Sequence, residues 1–386
     1  PVSSCVRRSI SSVRRVRASI CPCRSSVRLL LSAIFLVLTV LLVLAAKYAP
    51  ALVFSFYPEF SRKLLSAISS VTRAIPLAVW ELLAGLAVLW LLYTFVRIFT
   101  QRRSFLCWLA GIVLSVCVGL FLFVALWGLN HFGPTVGEQL GLSVREYTKQ
   151  ELTDATRYYA AQVNALADDV SRDDQGLAQL SSFEELSKQA GAGYDKLAER
   201  YALFTGSHDP VKKLATWRMF SQFGITGIFI CFTGEACVNP DTYEVWLPFT
   251  MCHELAHRQT VAAEDGANFC AYLACMENES PEFRYSGAIA AYVYCQNSGK
   301  RNRAEPQRGR ARRHSGGQYP LRTVRRQGPG RSHEGQRYVS QGFLRGSGRA
   351  ELRRGRGSSH RVVPGEKVGQ NEKMSLTNAG SFCIIT

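Results

Sequence analysis

Four absences bound this 386-residue chain before any motif is read. Charge is missing from long stretches: Leu29–Ala46 and Ser104–Asn130 carry none, and Ile75–Val96 carries only Glu81. That excludes a single water-soluble globule. Acidic residues are missing from residues 1–28, which hold seven Arg, and are scarce in residues 300–386, with 5 acids against 20 bases. The body between them holds 24 acids and 19 bases, so the net charge of +17 belongs to the two ends. A uniformly basic nucleic-acid-binding domain is excluded, and no nucleic-acid partner is expected. No C-x-x-C occurs among the twelve cysteines, which removes a Cys-type zinc site. Most cysteines read as small apolar packing residues. Finally, no Met precedes Met219. Either a start lies upstream or at an alternative codon near Val27–Leu30, or Arg14, Arg15 and Arg17 form a genuine basic anchor.

What is present begins with three apolar runs, about 29–46, 75–96 and 104–130. A bilayer core takes about 20 apolar residues in a helix, because lipid offers unpaired backbone groups no partner. Tyr48, Trp80, Tyr93, Trp108 and Trp127 stand near the ends of the runs as interface anchors. The first run is also readable as a signal peptide, but it is long for that role and no small-x-small cleavage site follows. The N-terminal segment and the loop after the second run carry ten basic residues. The loop after the first carries four: Lys47, Arg62, Lys63 and Arg73. The bias favours an N-terminus inside the cytoplasm, with everything after Asn130 outside.

Beyond Asn130 the pattern becomes that of amphipathic helices. Ser143–Glu146 reads as a capping box opening a helix with Leu152, Ala155, Tyr159, Val163 and Leu166 on one face. A second helix runs from about Ser182 to Phe204, weakened by Gly191 and Gly193. Gly224–Val238 reads as one or two short strands around a turn. Pro248 and Thr250 then lead into a helix carrying the most informative residues.

These are His253-Glu254-Leu255-Ala256-His257. On a helix, positions i and i+4 share a face, so both imidazoles can reach one Zn2+ with Glu254 beside the water it activates, as general base. Chance supplies roughly 0.006 matches to this pattern at this composition. Two His do not close a site. Glu264, opening a second helix to about Met276, is the leading third ligand, and Asn268 one turn on would support it. Asp265 is the main competitor and Glu235 an outside one.

HELAH followed by EDGANFCAYLAC, and preceded by FTGEACVN and PFTMC, resembles a bacterial family known as domain of unknown function 3810. Its members are three-span membrane proteins with a zinc-peptidase-like domain outside the membrane. More widely, the helix pair is similar to the gluzincin arrangement. The likeness implies His253, His257 and Glu264 as metal ligands, Glu254 as general base and Asn268 as their support. It also implies an edge strand near Ile228–Phe232 able to pair with an extended peptide. The chain departs from that pattern at four positions: Thr260 stands where Gly is usual, Gly266 where Glu is, Arg258 where Gln is common, and Cys237 where Asn is.

After Tyr294-Cys295 the composition breaks: Gly299–Gly380 holds 17 Arg and 15 Gly. Three readings stand: a change of reading frame near Gln296–Gly299, a disordered basic arm, or a solvated linker. The organisation expected is a basic segment (1–28), a three-helix membrane region (29–130), a helical region (131–223), a zincin-like core (224–297) and a disordered or non-native tail (298–386). The fold class is mainly α, three transmembrane helices followed by an α+β extracytoplasmic domain with a short β-sheet. The function expected is a multi-pass, zinc-dependent peptide hydrolase of a bacterial cell membrane, its partners the lipid bilayer and a peptide or protein substrate. The alternatives are a non-catalytic membrane protein using the same domain as a binding module, in an inactive truncated copy, and a polycationic binder acting through the tail.

Overall fold

A computed structural model of the chain describes residues 2–101, 104–174 and 176–304, with backbone alone for 2–24 and 299–304. The tail reading from residue 305 onward lies outside the described residues. The described chain is mainly helical, with one three-stranded sheet.

Its first half comprises α1 (Val2–Tyr48), α2 (Pro50–Phe54), α3 (Tyr57–Thr72), α4 (Val79–Thr100) and α5 (Phe105–Leu126). Ser25–Tyr48, α4 and α5 are long and apolar enough to cross a membrane, as a multi-pass membrane protein requires. The span boundaries move by a few residues from those expected. The second span starts at Val79 instead of residue 75, because Pro76 falls in the turn before it and the Glu235 carboxylate accepts from the first N–H groups, Val79 (2.8 Å) and Trp80 (2.9 Å). The third ends at Leu126, where Trp127 leaves helical geometry and a 3-10 turn, Gly128–Phe132, follows.

α3 was not foreseen. Tyr57, Ser61, Arg62, Leu65, Ser69 and Thr72 form its buried face. The Tyr57 hydroxyl donates to Val124 O (3.2 Å) and the Ser61 hydroxyl to Leu126 O (2.5 Å), so α3 crosses the last turn of α5.

The second half runs α6 (Val136–Gln139), α7 (Lys149–Leu166), α8 (Phe183–Gln189), α9 (Ala192–Ala198), β1 (Lys212–Lys213), α10 (Trp217–Phe223), β2 (Gly227–Ile230), β3 (Glu235–Val238), α11 (Leu247–Arg258), α12 (Glu264–Glu277) and α13 (Pro281–Ala304). The capping box that opens α7 is Thr148 with Glu151, not Ser143 with Glu146: Thr148 N–H donates to Glu151 (2.7 Å), and Glu151 N–H to Thr148 (3.2 Å). Tyr147 and Leu152, flanking that box, are both buried, and this hydrophobic staple selects the later of two overlapping patterns. The helix expected over Ser182–Phe204 is broken in two after Gln189. Gly193 is there for contact: a Cβ would run into the backbone of Ala274 on α12. α7 to α9 and α11 to α13 enclose one core that includes Leu152, Tyr194, Phe204, Leu255 and Phe283.

The sheet has the order β1-β3-β2, with β1 parallel and β2 antiparallel to β3. Both strands expected between Gly224 and Val238 are present. β1 was missed, because Lys212-Lys213 carries no strand pattern.

Candidate metal centre

The site is assembled at the turn between α11 and α12. The N-terminus of α11 has Pro248 in its first turn, and Phe249 N–H donates to the Ser286 hydroxyl of α13 (3.1 Å). Its C-terminus closes as a Schellman turn, with Thr260 N–H bonded to His257 O (3.1 Å) and Val261 N–H to Ala256 O (3.2 Å). Thr260 occupies the left-handed position of that turn at φ 72°, the one non-glycine with positive φ among the described residues. The reversal brings Glu264, first residue of α12, back over His253 and His257.

One helical turn apart, the two imidazoles stand edge to face with centroids 4.8 Å apart. His253 Nδ1 donates to Asn268 Oδ1 (2.9 Å), and His257 Nδ1 donates to Val261 O (2.7 Å). With both Nδ1 atoms bound to acceptors, each neutral ring has its lone pair on Nε2. The two Nε2 atoms lie 3.1 Å apart, and Glu264 carboxylate oxygens lie 3.2 Å from His253 Nε2 and 3.6 Å from His257 Nε2. Ligand atoms of all three residues fall within 4.8 Å of one another. Asn268, held also by the Tyr294 hydroxyl (3.0 Å), orients the His253 ring. Neither competitor for the third position joins the group. Asp265 accepts from the neighbouring Gly266 N–H, and Glu235 is committed to α4 and to Lys212 Nζ at 2.6 Å.

The electrostatics separate the two glutamates. Burial raises Glu254 to about 7, against the opposing pull of His253. A hydrogen bond from His253 takes Glu264 down to about 2. Burial, with the neighbouring His253, lowers His257 to about 4. Burial also acts downward on His253, but the Glu264 hydrogen bond and the charges of Glu254 and Glu264 together carry it above its ordinary value. Glu254 lies under β2, where a side chain at Gly227 would collide with its carboxylate.

The positions that depart from the family pattern each have a local partner. Arg258 is buried and donates to Gly234 O (3.0 Å) and Asp209 O (2.6 Å). Gly266 gives Val136 its room, since a Cβ there would stand 2.8 Å from the Val136 side chain. Cys237 is buried beside Leu214 and Phe220. Trp127 is the site neighbour that the sequence offered only as a membrane anchor: its Nε1 donates to His257 O (3.0 Å) and its ring stacks edge-on against His257 and His131.

The eight cysteines of the described part with placed side chains are all free thiols, six of them buried, as their packing reading requires. No curated protein and no solved structure matches the chain. A family model described as Protein of unknown function (DUF3810) matches residues 55–315, well over half of the chain, from the end of α2 through the whole of the site. The chain belongs to the DUF3810 family.

Proposed function

We propose that the chain is a membrane-anchored, zinc-dependent metallopeptidase, with His253, His257 and Glu264 as the metal-holding residues. The observation carrying this reading is the convergence of two imidazole Nε2 atoms and a carboxylate oxygen on one point. Two Nε2 atoms 3.1 Å apart beside a carboxylate need a proton or a metal cation among them, and zinc can take the place of the proton. Two neutral imidazoles and one carboxylate are the donor number and type of catalytic zinc, and the hydrogen bonds at both Nδ1 atoms orient the rings as a metal site requires.

When bound, zinc supplies a Lewis acid that polarises a substrate carbonyl and draws the pKa of water towards about 7. Glu254, itself near 7, is poised to take a proton from attacking water and hand it to the leaving amine. Asn268 holds the His253 ring, and Val261 O holds that of His257. β2 lies at the sheet edge, so the N–H and C=O groups it does not give to β3 suit an extended peptide laid beside Glu254. The excess of basic residues at the N-terminus and after α4 supports a reading in which this domain lies outside the cytoplasm.

The test is metal content and hydrolysis of the full chain in detergent. Wild type should carry one zinc per chain; His253→Ala and Glu264→Ala should lose it. Glu254→Gln should keep the metal and lose cleavage of a peptide library. Zinc retained by both ligand variants would overturn the assignment. A zinc-loaded chain inert towards the library, with Glu254→Gln no different, would make the domain a non-catalytic module instead.

A further inference from the structure

Two elements that do not cross the membrane have their amphipathicity turned outward. α3 buries Ser61, Arg62, Ser69 and Thr72 against the protein along with Tyr57 and Leu65, while Phe60 and Val71, and Phe56 just before it, are exposed beside the Glu59–Lys63 ion pair, Val71 at 72%. A helix in water does the reverse. α10 and the β2–β3 turn show the same feature: Met219, Phe223, Ile225 and Phe232 are exposed, Phe223 at 73%. Elsewhere after the spans, exposed apolar side chains such as Val144 and Tyr158 are scattered singly, which is ordinary for a protein surface.

The hydrogen bonds fix where these faces lie. α3 is tied to the last turn of α5 through Tyr57 and Ser61. α10 is tied to the first turn of α4, because the Glu81 carboxylate accepts from Ala215 N–H and Thr216 N–H (2.9 Å each) and from the Thr216 hydroxyl. Trp80 stacks edge-on against Phe220 of α10. The β2–β3 turn joins the two, since Thr233 O accepts from the Thr72 hydroxyl (3.0 Å) and Gly234 presses on α3. The end of one span and the start of another mark a single face of the bilayer. Both outward faces therefore lie at the level where those spans leave the hydrocarbon.

We propose that α3, α10 and the β2–β3 turn form an in-plane seat resting in the interfacial layer of the bilayer, with lipid as its occupant. Lipid is favoured over a protein partner by this placement at the span ends and by exposed cations beside the two faces, Lys63 in an ion pair with Glu59 and Arg218 over the Trp217 ring. Trp127 links His257 to the end of α5, so the seat holds the His253–His257–Glu264 cluster at the same surface. The inference stands independently of any metal chemistry.

The experiment is carbene footprinting of the full chain in phosphatidylcholine nanodiscs. Three diazirine probes are compared: one at the glycerol level of phosphatidylcholine, one at the acyl terminus, and one soluble in water. The glycerol-level probe should label the peptides containing Phe56–Phe60 and Met219–Phe223 severalfold above the water-soluble one. The acyl-terminal probe should label the spans alone. Met219→Asp with Phe223→Asp should lose the shallow labelling of its own peptide while α4 and α5 keep theirs, which shows that the fold persists. Labelling of Met219–Phe223 and Phe232 from water only would overturn the proposal, as would shallow labelling confined to the ends of α1, α4 and α5.

Discussion

Trp127 Nε1 donates to the backbone carbonyl of His257 across 3.0 Å, so the residue that ends the third span also touches the helix turn that carries a candidate ligand. His257 O accepts from Thr260 N–H as well, and removing the indole donor does not orphan it. Trp127→Phe should therefore lower stability by only about 1 kcal/mol. Its effect on zinc should be larger in proportion, with affinity weakened about tenfold, as for other groups that orient ligands. Competition with a chromogenic chelator reads this directly. Unchanged affinity would mean that the span end and the centre are mechanically independent.

Asn268 and His253 give a sharper case. Asn268→Ala removes the acceptor for His253 Nδ1 and leaves the Tyr294 hydroxyl without it. Zinc affinity should fall about 10–100-fold. Asn268→Asp, which keeps an acceptor at that place, should recover most of it. Equal loss in both variants would point to packing around Asn268 instead of ring orientation.

The buried pair of Glu235 and Lys212 predicts a non-additive response. Glu235→Gln leaves the Lys212 ammonium with less of its compensation in a largely buried place and weakens the cap on α4, so about 3–5 kcal/mol should be lost. Adding Lys212→Met should return part of it, read as a rise in thermal unfolding temperature in detergent. A double variant no more stable than Glu235→Gln alone would show that the cap on α4, and not the ion pair, carries the effect.

Proton linkage follows from Glu254. Burial raises its folded-state pKa to about 7 from the ordinary 4.5, so the folded metal-free protein holds this proton longer than the unfolded chain. The stabilisation is complete below pH 4.5 and is lost as pH rises through 7, a change on the order of 3 kcal/mol. Metal-free Glu254→Gln should lack this descent between pH 4.5 and 7. Denaturant midpoints across that window, measured on both proteins, decide it; parallel curves would mean that Glu254 is ionised in the folded state.

The side-chain cluster at the centre was legible because helical spacing brings His253 and His257 together without help from the rest of the fold. Glu264 needed only a turn. The three spans were legible for a similar reason, since an uncharged run has few other uses. What stayed hidden depends on contacts distant in sequence. Trp127 meets His257 across 130 positions, and Glu235 meets Trp80 across 155. Nothing local distinguishes a Glu that caps a remote helix from one that binds metal. α3 was overlooked although Phe60, Leu64, Ile68 and Val71 recur at helical spacing. Gly193 looked like a weak point in a helix and Gly266 like a departure from the family pattern, yet each admits a neighbour that a side chain would exclude.

Thr260 shows where sequence and structure agree on a flaw. A β-branched residue at φ 72° meets its own backbone, and the left-handed region costs such residues about 1–2 kcal/mol. Glycine would relieve this, but it would also forfeit the hydrogen bond that the Thr260 hydroxyl accepts from Arg62 Nη1 (3.3 Å), and it gains freedom in the unfolded chain. Those losses are of similar size, so Thr260→Gly should change stability little. Asparagine tolerates the left-handed region and keeps a polar group facing the buried Arg62. Thr260→Asn should therefore stabilise by about 1 kcal/mol, measured as a raised denaturant midpoint with an unchanged slope. Zinc stoichiometry should stay at one, because the Schellman turn that returns Glu264 to the two histidines is retained. Destabilisation by Thr260→Asn would show that the hydroxyl's own contacts outweigh the backbone strain.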